Sequence, residues 1–485
     1  MAEGQGSAAV RIKEAGMAER EIVVIGGGPG GYVAAIRAAQ LGAKVTLIEK
    51  DELGGICTNW GCIPTKALLR GVELLEAVEG VKDFGIQVGQ VAVDFSKLLA
   101  RKDRVVKTLV SGVGGLMKSN GIEVIKGKAR LISAQKIEVV DERQQKVPYQ
   151  VRKIIIATGS VSADLPIPGA KLAGVIDSDG ALQLTNIPES MVIIGGGPIG
   201  LEFGTIFAAL GTRVTILEML PQILPSEDPE VASALDKSLK RFKILTLPGC
   251  QVKEITTGSE GKRKVVALTG EGEKVFEAQY VLVAVGRKPN IEGLGLQEVG
   301  VRFSKKGIEV NEKMETSIPG VYAIGDVTGQ WLLAHFASAQ GEVAAENAMG
   351  HEVLLDSRVV PRCVYTLPEV AAVGLTEKQA QEAGYELKVG RFPFAANGKA
   401  TVIGERNGFV KMVAETKYDE ILGVHIFGPH ATDLIGEAVL AMRLEGTAED
   451  IAQTIHPHPT LTEAMKEAAF DVDGRAVHIP PRKNK

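Results

Sequence analysis

Two stretches of this chain carry the same unit at the same spacing, and no other feature narrows the fold as far. From Glu21 to Glu49 the sequence reads EIVVIGGGPGGYVAAIRAAQLGAKVTLIE, and from Met191 to Glu218 it reads MVIIGGGPIGLEFGTIFAALGTRVTILE. Each copy opens on an apolar strand run, passes through three glycines and a helical run, and closes a second strand with a glutamate. The glycines are Gly26, Gly28 and Gly31 in the first copy, and Gly195, Gly197 and Gly200 in the second. First glycine to last glutamate spans 23 positions in both. A nucleotide pyrophosphate explains each part. The first glycine permits a tight turn, the second lets backbone approach the phosphates, and the third lets helix pack close to strand. The pyrophosphate then rests on the free amides and positive dipole end of the helix, and the terminal carboxylate reaches a ribose hydroxyl. One glycine-rich turn alone is weak evidence. Two strand-flanked copies ending in an acid at equal spacing point to two dinucleotides.

Glu218 is followed by Met219, Leu220 and Pro221, with no Arg or Lys to receive a 2′-phosphate. A carboxylate repels that phosphate, so the second unit predicts NAD rather than NADP. The runs KIIIATG, ending at Gly159, and YVLVAVG, ending at Gly286, read as buried strands by which the chain leaves the first unit and returns from the second. A third run, Val321 to Asp326, presents one carboxylate after a strand and glycine turn; a plain turn-forming aspartate is the blander reading of Asp326.

The remaining composition excludes several classes. At 485 residues about three domains are expected. The 57 glycines, against an ordinary ~7% of residues, cluster at strand-to-helix turns. Formal net charge is −4 with no basic run, which leaves nucleic-acid binding without an electrostatic footprint. No apolar run reaches the roughly 18 residues that cross a bilayer. Residues 1–19 are polar and acidic and read as a disordered leader rather than a targeting signal. Four cysteines do not make a secreted disulfide framework, so a cytoplasmic location is expected.

Two of those cysteines stand five positions apart in GGICTNWGCIPTK. A zinc site usually shows two C-x-x-C pairs or nearby histidines, and neither is present around Cys57 and Cys62, so no metal is expected. A staple closing so short a loop constrains little chain entropy. A redox-active pair remains. In a regular helix five positions rise about 7.5 Å, beyond the roughly 4.4–6.8 Å between disulfide Cα atoms. An irregular turn at Asn59 and Gly61 is therefore predicted, with a helix starting near Pro64. Cys62 then sits at a helix N-terminus, where the dipole favours a thiolate, and the earlier Cys57 suits attack by a substrate thiol. Lys66 lies one helical turn past Cys62, and its spacing alone is equally that of a surface lysine. Cys250 and Cys363 read as inert thiols.

The motifs GGICTNWGCIPTKALL, IIIATGS, GGGPIGLE, VGRKPN, YAIGDV, LPEVAAVG, FPFAANGKA and HPHPTLTEA, in this order across residues 20–475, resemble the pyridine nucleotide-disulfide oxidoreductases, most of all their dihydrolipoamide-oxidising branch. The resemblance implies an α/β fold with two Rossmann-like dinucleotide-binding domains and a C-terminal α+β dimerisation domain. Its expected parts are an FAD-binding domain at 20–160, an NAD-binding domain at 161–286, a return to the FAD or central domain at 287–359, and an interface domain at 360–485. It implies FAD on Gly26, Gly28, Gly31 and Glu49, with Asp326 on the ribityl chain and Lys66 near the flavin, paired with Glu202. Thr158, Gly159 and Ala334 are further cofactor contacts, and NAD falls to Gly195, Gly197, Gly200, Glu218 and Gly286. It makes His458 the catalytic base and Glu463 its orienting carboxylate. Thr460-x-x-Glu463 is equally a helix capping box, in which Glu463 needs no catalytic role. His456 reads as structural, and both His-Pro bonds are candidate cis sites.

Departures from the family pattern are Ile56, Thr58, Trp60 and Pro457; none removes a functional group. The implied reaction passes electrons from dihydrolipoamide through Cys57–Cys62 and FAD to NAD⁺, in a homodimer. No lipoyl-bearing module is expected ahead of the first unit, so the lipoyl group comes from a partner protein or complex, or as the small molecule. Two rivals share the core: an NADH-dependent reductase of another disulfide or metal substrate, and a flavin-bearing structural or redox-sensing subunit. The closing Pro-Arg-Lys-Asn-Lys lacks the cysteine pair of mercuric reductases, and the His458/Glu463 pair speaks against a subunit without catalysis.

Overall fold

The computed structural model describes residues 19–481. The expected leader lies outside that range except for Glu19, and so does nearly all of the closing Pro-Arg-Lys-Asn-Lys. The described chain packs into two compact units, one of residues 19–55, 111–160 and 289–355, the other of 56–110, 161–288 and 356–481.

In the first unit, β1 (Glu19–Ile25) feeds α1 (Pro29–Gln40), which returns to β2 (Val45–Glu49). β1 and β2 pair in parallel, Ile22 opposite Val45 through Ile25 opposite Ile48. The paired stretches 22–25 and 45–48 are buried at every position, as strands covered on two faces are. β1 begins three residues earlier than its apolar run because Glu19 and Arg20 pair with Gln150 and Val151 of the strand Lys146–Ile156. That eleven-residue strand serves two neighbours. Its first half runs antiparallel to Lys136–Val140, and its second half runs parallel to β1. Val321–Ala323 adds a further parallel strand beside Ile154–Ile156. Among the described residues the sheet has seven strands.

The second unit repeats the parallel arrangement. Ser190–Ile194, buried throughout, lies between Arg213–Leu217 and Tyr280–Val283 in a five-stranded sheet. A three-stranded antiparallel sheet, formed within residues 251–278, lies in the chain between Arg213–Leu217 and Tyr280–Val283. The C-terminal part is a five-stranded antiparallel sheet whose central strand, Ile421–Gly428, is buried at every position. Helices Ala431–Arg443 and Glu463–Val472 pack on it. This is α+β layering, and the whole is the α/β class expected. Among the described residues no helix is long and apolar enough to cross a membrane.

Residues 56–110, expected within an FAD-binding part at 20–160, cluster with the second of the two units. Leu68, Leu69 and Val72 are buried in the same core as Leu201, Phe203 and Ile206 of the helix Pro198–Ala209.

The C-terminal sheet and helix approach closely at a glycine. A Cβ on Gly390, in the strand Leu387–Pro393, would lie 2.0 Å from the Ala468 carbonyl oxygen and 2.7 Å from the Val472 nitrogen. Both neighbours are backbone and cannot swing aside. Gly390→Ala is expected to destabilise the protein by about 1–3 kcal/mol, read as a lower urea midpoint than the parent's.

Candidate active site

The two glycine turns are superimposable in their logic. Gly26 and Gly195 take left-handed φ values of 108° and 116°. A Cβ on Gly31 would stand 1.9 Å from the Gly26 oxygen, and one on Gly200 would stand 2.1 Å from the Gly195 oxygen, so the third glycine is compulsory in each. Gly28 and Gly197 are the N-caps of α1 and of Pro198–Ala209; neither helix start is capped by a side chain. Space is open at Gly197, where a Cβ would meet nothing within 4 Å, and at Gly28 the nearest atom is 3.9 Å away. Uncapped amides at the start of a twelve-residue helix, beside a glycine with room in front of it, fit a pyrophosphate.

The acids match as closely. Glu49 Oε2 accepts from the Gly27 N–H at 2.6 Å and Oε1 from Asp51 at 2.7 Å. Glu218 Oε2 accepts from Gly196 at 2.6 Å and Oε1 from Leu220 at 2.8 Å. Each carboxylate keeps acceptor capacity beyond those bonds. In the first unit, the Thr158 hydroxyl donates to the Asn290 carbonyl at 2.8 Å, and the Asn290 N–H donates to Gly159. Asp326 accepts the Ser160 hydroxyl, and Ala334 opens the helix Ala334–Ala348. Gly286, φ 114°, ends the second unit's turn, and its carbonyl accepts from Ala163.

The cysteines sit on two helices rather than on a turn before one. Cys57 lies in α2 (Gly55–Trp60) and Cys62 opens α3 (Cys62–Gly80), with Gly61 as the break at φ −139° and ψ −106°. The helix therefore starts two residues before the expected Pro64. Proline is tolerated there because first-turn N–H groups have no partner inside the helix. Neither Cys57 nor Cys62 is joined to another cysteine, and both are half-buried. The pair is polarised. A hydrogen bond from Cys57 lowers Cys62 to about 7, against the opposing effect of burial and with help from the charge of Lys66. The same bond, together with burial, pushes Cys57 up. Cys62 is thus the more readily ionised of the two and Cys57 the donor, and the α3 dipole acts in the same direction.

Lys66 is no idle surface residue. Its Nζ lies 2.6 Å from Glu202 Oε2 and 4.4 Å from the centre of the Tyr365 ring. Glu202 is 5% exposed, and its other oxygen accepts the Tyr365 N–H at 3.1 Å. Spacing in the sequence pointed to Lys66 but carried no signal for Tyr365.

His458 Nδ1 lies 2.9 Å from Glu463 Oε1, and Glu463 Oε2 accepts the Thr460 N–H at 2.9 Å. Burial works against the charged carboxyl, but those two bonds outweigh it and hold Glu463 below its ordinary value. Only half of the capping-box reading applies. The helix starts at Glu463 with Thr462 as N-cap, and the Thr460 hydroxyl donates to Pro457 instead. The His458 side chain is 77% exposed, with Nε2 free of the dyad bond. His456 is held at both nitrogens, by Glu437 at 2.7 Å and the Thr454 carbonyl at 2.9 Å. Of the two His-Pro bonds, His458–Pro459 is cis. Cys250 and Cys363 are both raised, first by burial, Cys363 to about 11.

The expected residues thus fall in two groups. Gly26, Gly28, Gly31, Glu49, Thr158, Gly159, Asp326 and Ala334 belong to the first unit; Cys57, Cys62, Lys66, Gly195, Gly197, Gly200, Glu202, Glu218, Gly286, His458 and Glu463 belong to the second.

The chain is similar to known proteins along most of its length. Residues 20–341 match the pyridine nucleotide-disulphide oxidoreductase family, and residues 360–469 match the dimerisation domain of that family. The chain is 45% identical over 463 residues to a dihydrolipoyl dehydrogenase of Thermus scotoductus, covering 95% of this chain and 98% of the relative. It is 42% identical over 477 residues to the mitochondrial dihydrolipoyl dehydrogenase of Pisum sativum, covering 97% and 94%. Among solved structures, LpdA of Mycobacterium tuberculosis superposes with a TM-score of 0.86 at 26% identity, covering 93% of this chain and 99% of that one. The copper(II) complex of the flavoprotein disulfide reductase RclA from Escherichia coli superposes with a TM-score of 0.83 at 27% identity and the same coverage. Two glycine turns that fit dinucleotides, a polarised dithiol and a dimerisation domain occur together here, and the chain belongs to the pyridine nucleotide-disulphide oxidoreductase family.

Proposed function

We propose that this protein is a dihydrolipoyl dehydrogenase that oxidises protein-bound dihydrolipoamide and reduces NAD⁺, working as a homodimer. The polarised Cys57–Cys62 pair carries the reading, and the dihydrolipoyl dehydrogenases among its relatives support the choice of thiol substrate. FAD binds the first unit through Gly26, Gly28, Gly31 and Glu49, and NAD binds the second through Gly195, Gly197, Gly200 and Glu218. FAD supplies the two-electron link between dithiol and nicotinamide.

The protein's own residues supply the thiol chemistry. In the oxidised enzyme Cys57 and Cys62 form a disulfide. His458 of the partner subunit removes a proton from one substrate thiol, and Glu463 holds the imidazole by Nδ1 so that Nε2 receives it. The thiolate attacks Cys57 sulfur, the Cys57–Cys62 bond breaks, and Cys62 leaves as a thiolate beside Lys66 and the α3 N-terminus. The substrate's second thiol then attacks its own sulfur in the mixed disulfide. Lipoamide departs as a disulfide, and Cys57 is released as a thiol. Two electrons now rest on the pair.

The lipoyl group is carried by a partner protein of a 2-oxoacid dehydrogenase or glycine-cleavage assembly, and the dithiol cycle operates in the cytoplasm. NADH formation from dihydrolipoamide, followed anaerobically with NAD⁺ and NADP⁺ in parallel, tests the reading. Turnover with NAD⁺ and little with NADP⁺ is the expected result; none with either would sink it. His458→Gln should lower turnover roughly 10²–10⁴-fold while bound flavin stays at one per chain.

A further inference from the structure

We propose that Tyr365 is a positioning residue for the thiol chemistry, its ring and its backbone N–H holding the two ends of the Lys66–Glu202 ion pair in place beside Cys62. The proposal rests on the function given above and adds a residue to it. Lys66 lies one helical turn beyond Cys62 on α3, and its side chain is 31% exposed. A lysine with four rotatable bonds and access to water has other places to go. Two contacts hold it: the Glu202 carboxylate at 2.6 Å and the face of the Tyr365 ring at 4.4 Å. A cation over an aromatic face is attracted by the ring quadrupole, more strongly where water is partly excluded. Tyr365 reaches the other partner as well, since its N–H donates to the Glu202 oxygen that Lys66 does not use.

The ionisable groups around Cys62 come from four elements. Cys57 approaches from α2, Lys66 from α3 itself, Glu202 from the helix Pro198–Ala209, and Tyr365 from the segment after Arg362–Val364, which also carries Cys363. Lys66 is the one cation among them. Its distance from Cys62 therefore decides whether the dithiol's charge is matched, and Tyr365 limits that distance. The phenol is itself pushed up to about 12, first by burial, so the ring stays neutral wherever Cys62 titrates.

The ring and the burial it provides act in opposite directions, which makes the test decisive. Losing a clamp on Lys66 raises the Cys62 thiol; losing only a hydrophobic cover lowers it. The measurement is the pH dependence of iodoacetamide alkylation of Cys62 in reduced, flavin-loaded protein carrying Cys57→Ser. Tyr365→Leu keeps the backbone N–H and removes the ring, and is expected to move the midpoint up by about 0.5–1 pH unit. Tyr365→Phe is expected to leave it at the parent value. Lys66→Met should also raise it, and adding Tyr365→Leu to Lys66→Met should move it no further. An unchanged or lowered midpoint in Tyr365→Leu overturns the proposal, as does a Tyr365→Phe midpoint that moves with the leucine variant. Tyr365→Met, nearer in length, replaces the leucine variant if that protein does not fold. Alkylation uses no dihydrolipoamide, so failure here is separate from failure of the proposed substrate, which shows only as absent turnover in the parent.

Discussion

Cys62→Ser protein is expected to form NADH from dihydrolipoamide roughly 10⁴-fold more slowly than the parent, or not measurably, with its flavin still bound. A hydroxyl neither ionises near neutral pH nor forms a disulfide, so the electron pair has nowhere to rest after the substrate is oxidised. The cofactor cradle at Gly26, Gly28 and Gly31 is untouched by the change, and yellow protein should be recovered. Cys57→Ser should be as inactive for a different reason, because the proposed site of substrate attack is gone. The two variants separate in their remaining thiol. With Cys57→Ser the hydroxyl still donates to Cys62, which keeps a titration not far from its value of about 7 in the native pair. With Cys62→Ser the remaining Cys57 has no thiolate to donate to and behaves as a buried thiol, moved above the ordinary range. Dihydrolipoamide turnover above a few per cent in Cys62→Ser would mean that electrons leave the substrate by another route.

The largest effect on stability is expected at Lys411. This lysine is 2% exposed in the strand Phe409–Glu415, and its Nζ lies 2.9 Å from Asp228, 2.7 Å from Glu230 and 2.8 Å from Glu377. Arg391 joins the same cluster at Glu230 and Glu377. Three carboxylates thus share two cations, and Asp228 is wholly buried. Lys411→Met leaves Asp228 as an uncompensated buried charge, at a cost of about 3–5 kcal/mol. The effect should depend on pH. Glu230 is held at about 2, first by Arg391, then, against burial, by Lys411. A carboxyl lowered on folding adds stability above its ordinary value of 4.5, and that stability is lost as pH falls through the folded value. The gap between parent and variant urea midpoints should therefore be widest near pH 7 and narrow between about pH 4.5 and 2. Equal midpoints at pH 7 would show that the cluster contributes nothing.

The nucleotide units were legible because their signal is local. A glycine that must adopt φ near 110°, a second before a helix, a third against a strand and an acid 23 residues on are all written within one short run. The His458–Glu463 contact was legible for the same reason, since five residues separate the pair. Helix boundaries were less so. Pro64 looked like a helix start but is the third residue of α3, a position that tolerates proline equally well. Chain order also says nothing about which core receives Leu68, Leu69 and Val72, which are buried with Leu201, Phe203 and Ile206. Tyr365 was missed because its ring and amide meet Lys66 and Glu202 from far along the chain, and an aromatic residue after a short strand carries no mark of that. Lys411 did leave a trace. A lysine in the apolar run FVKMVAE needs buried partners, but which carboxylates serve it is known only from packing.

The carboxylates of Glu49 and Glu218 bear on cofactor engineering. Each is clipped at both oxygens to backbone of its own turn, through Gly27 and Asp51 in one unit and through Gly196 and Leu220 in the other. The acid proposed to discriminate against a phosphorylated ribose, Glu218, is therefore also a fastener of the glycine turn proposed to receive the pyrophosphate. Exchanging Glu218 for a neutral or basic residue to recruit NADP releases two amides and loosens the turn, so the change weakens the grip on every dinucleotide. A successful switch has to rebuild residues 218–222 as a piece, with a new acceptor for the Gly196 and Leu220 amides.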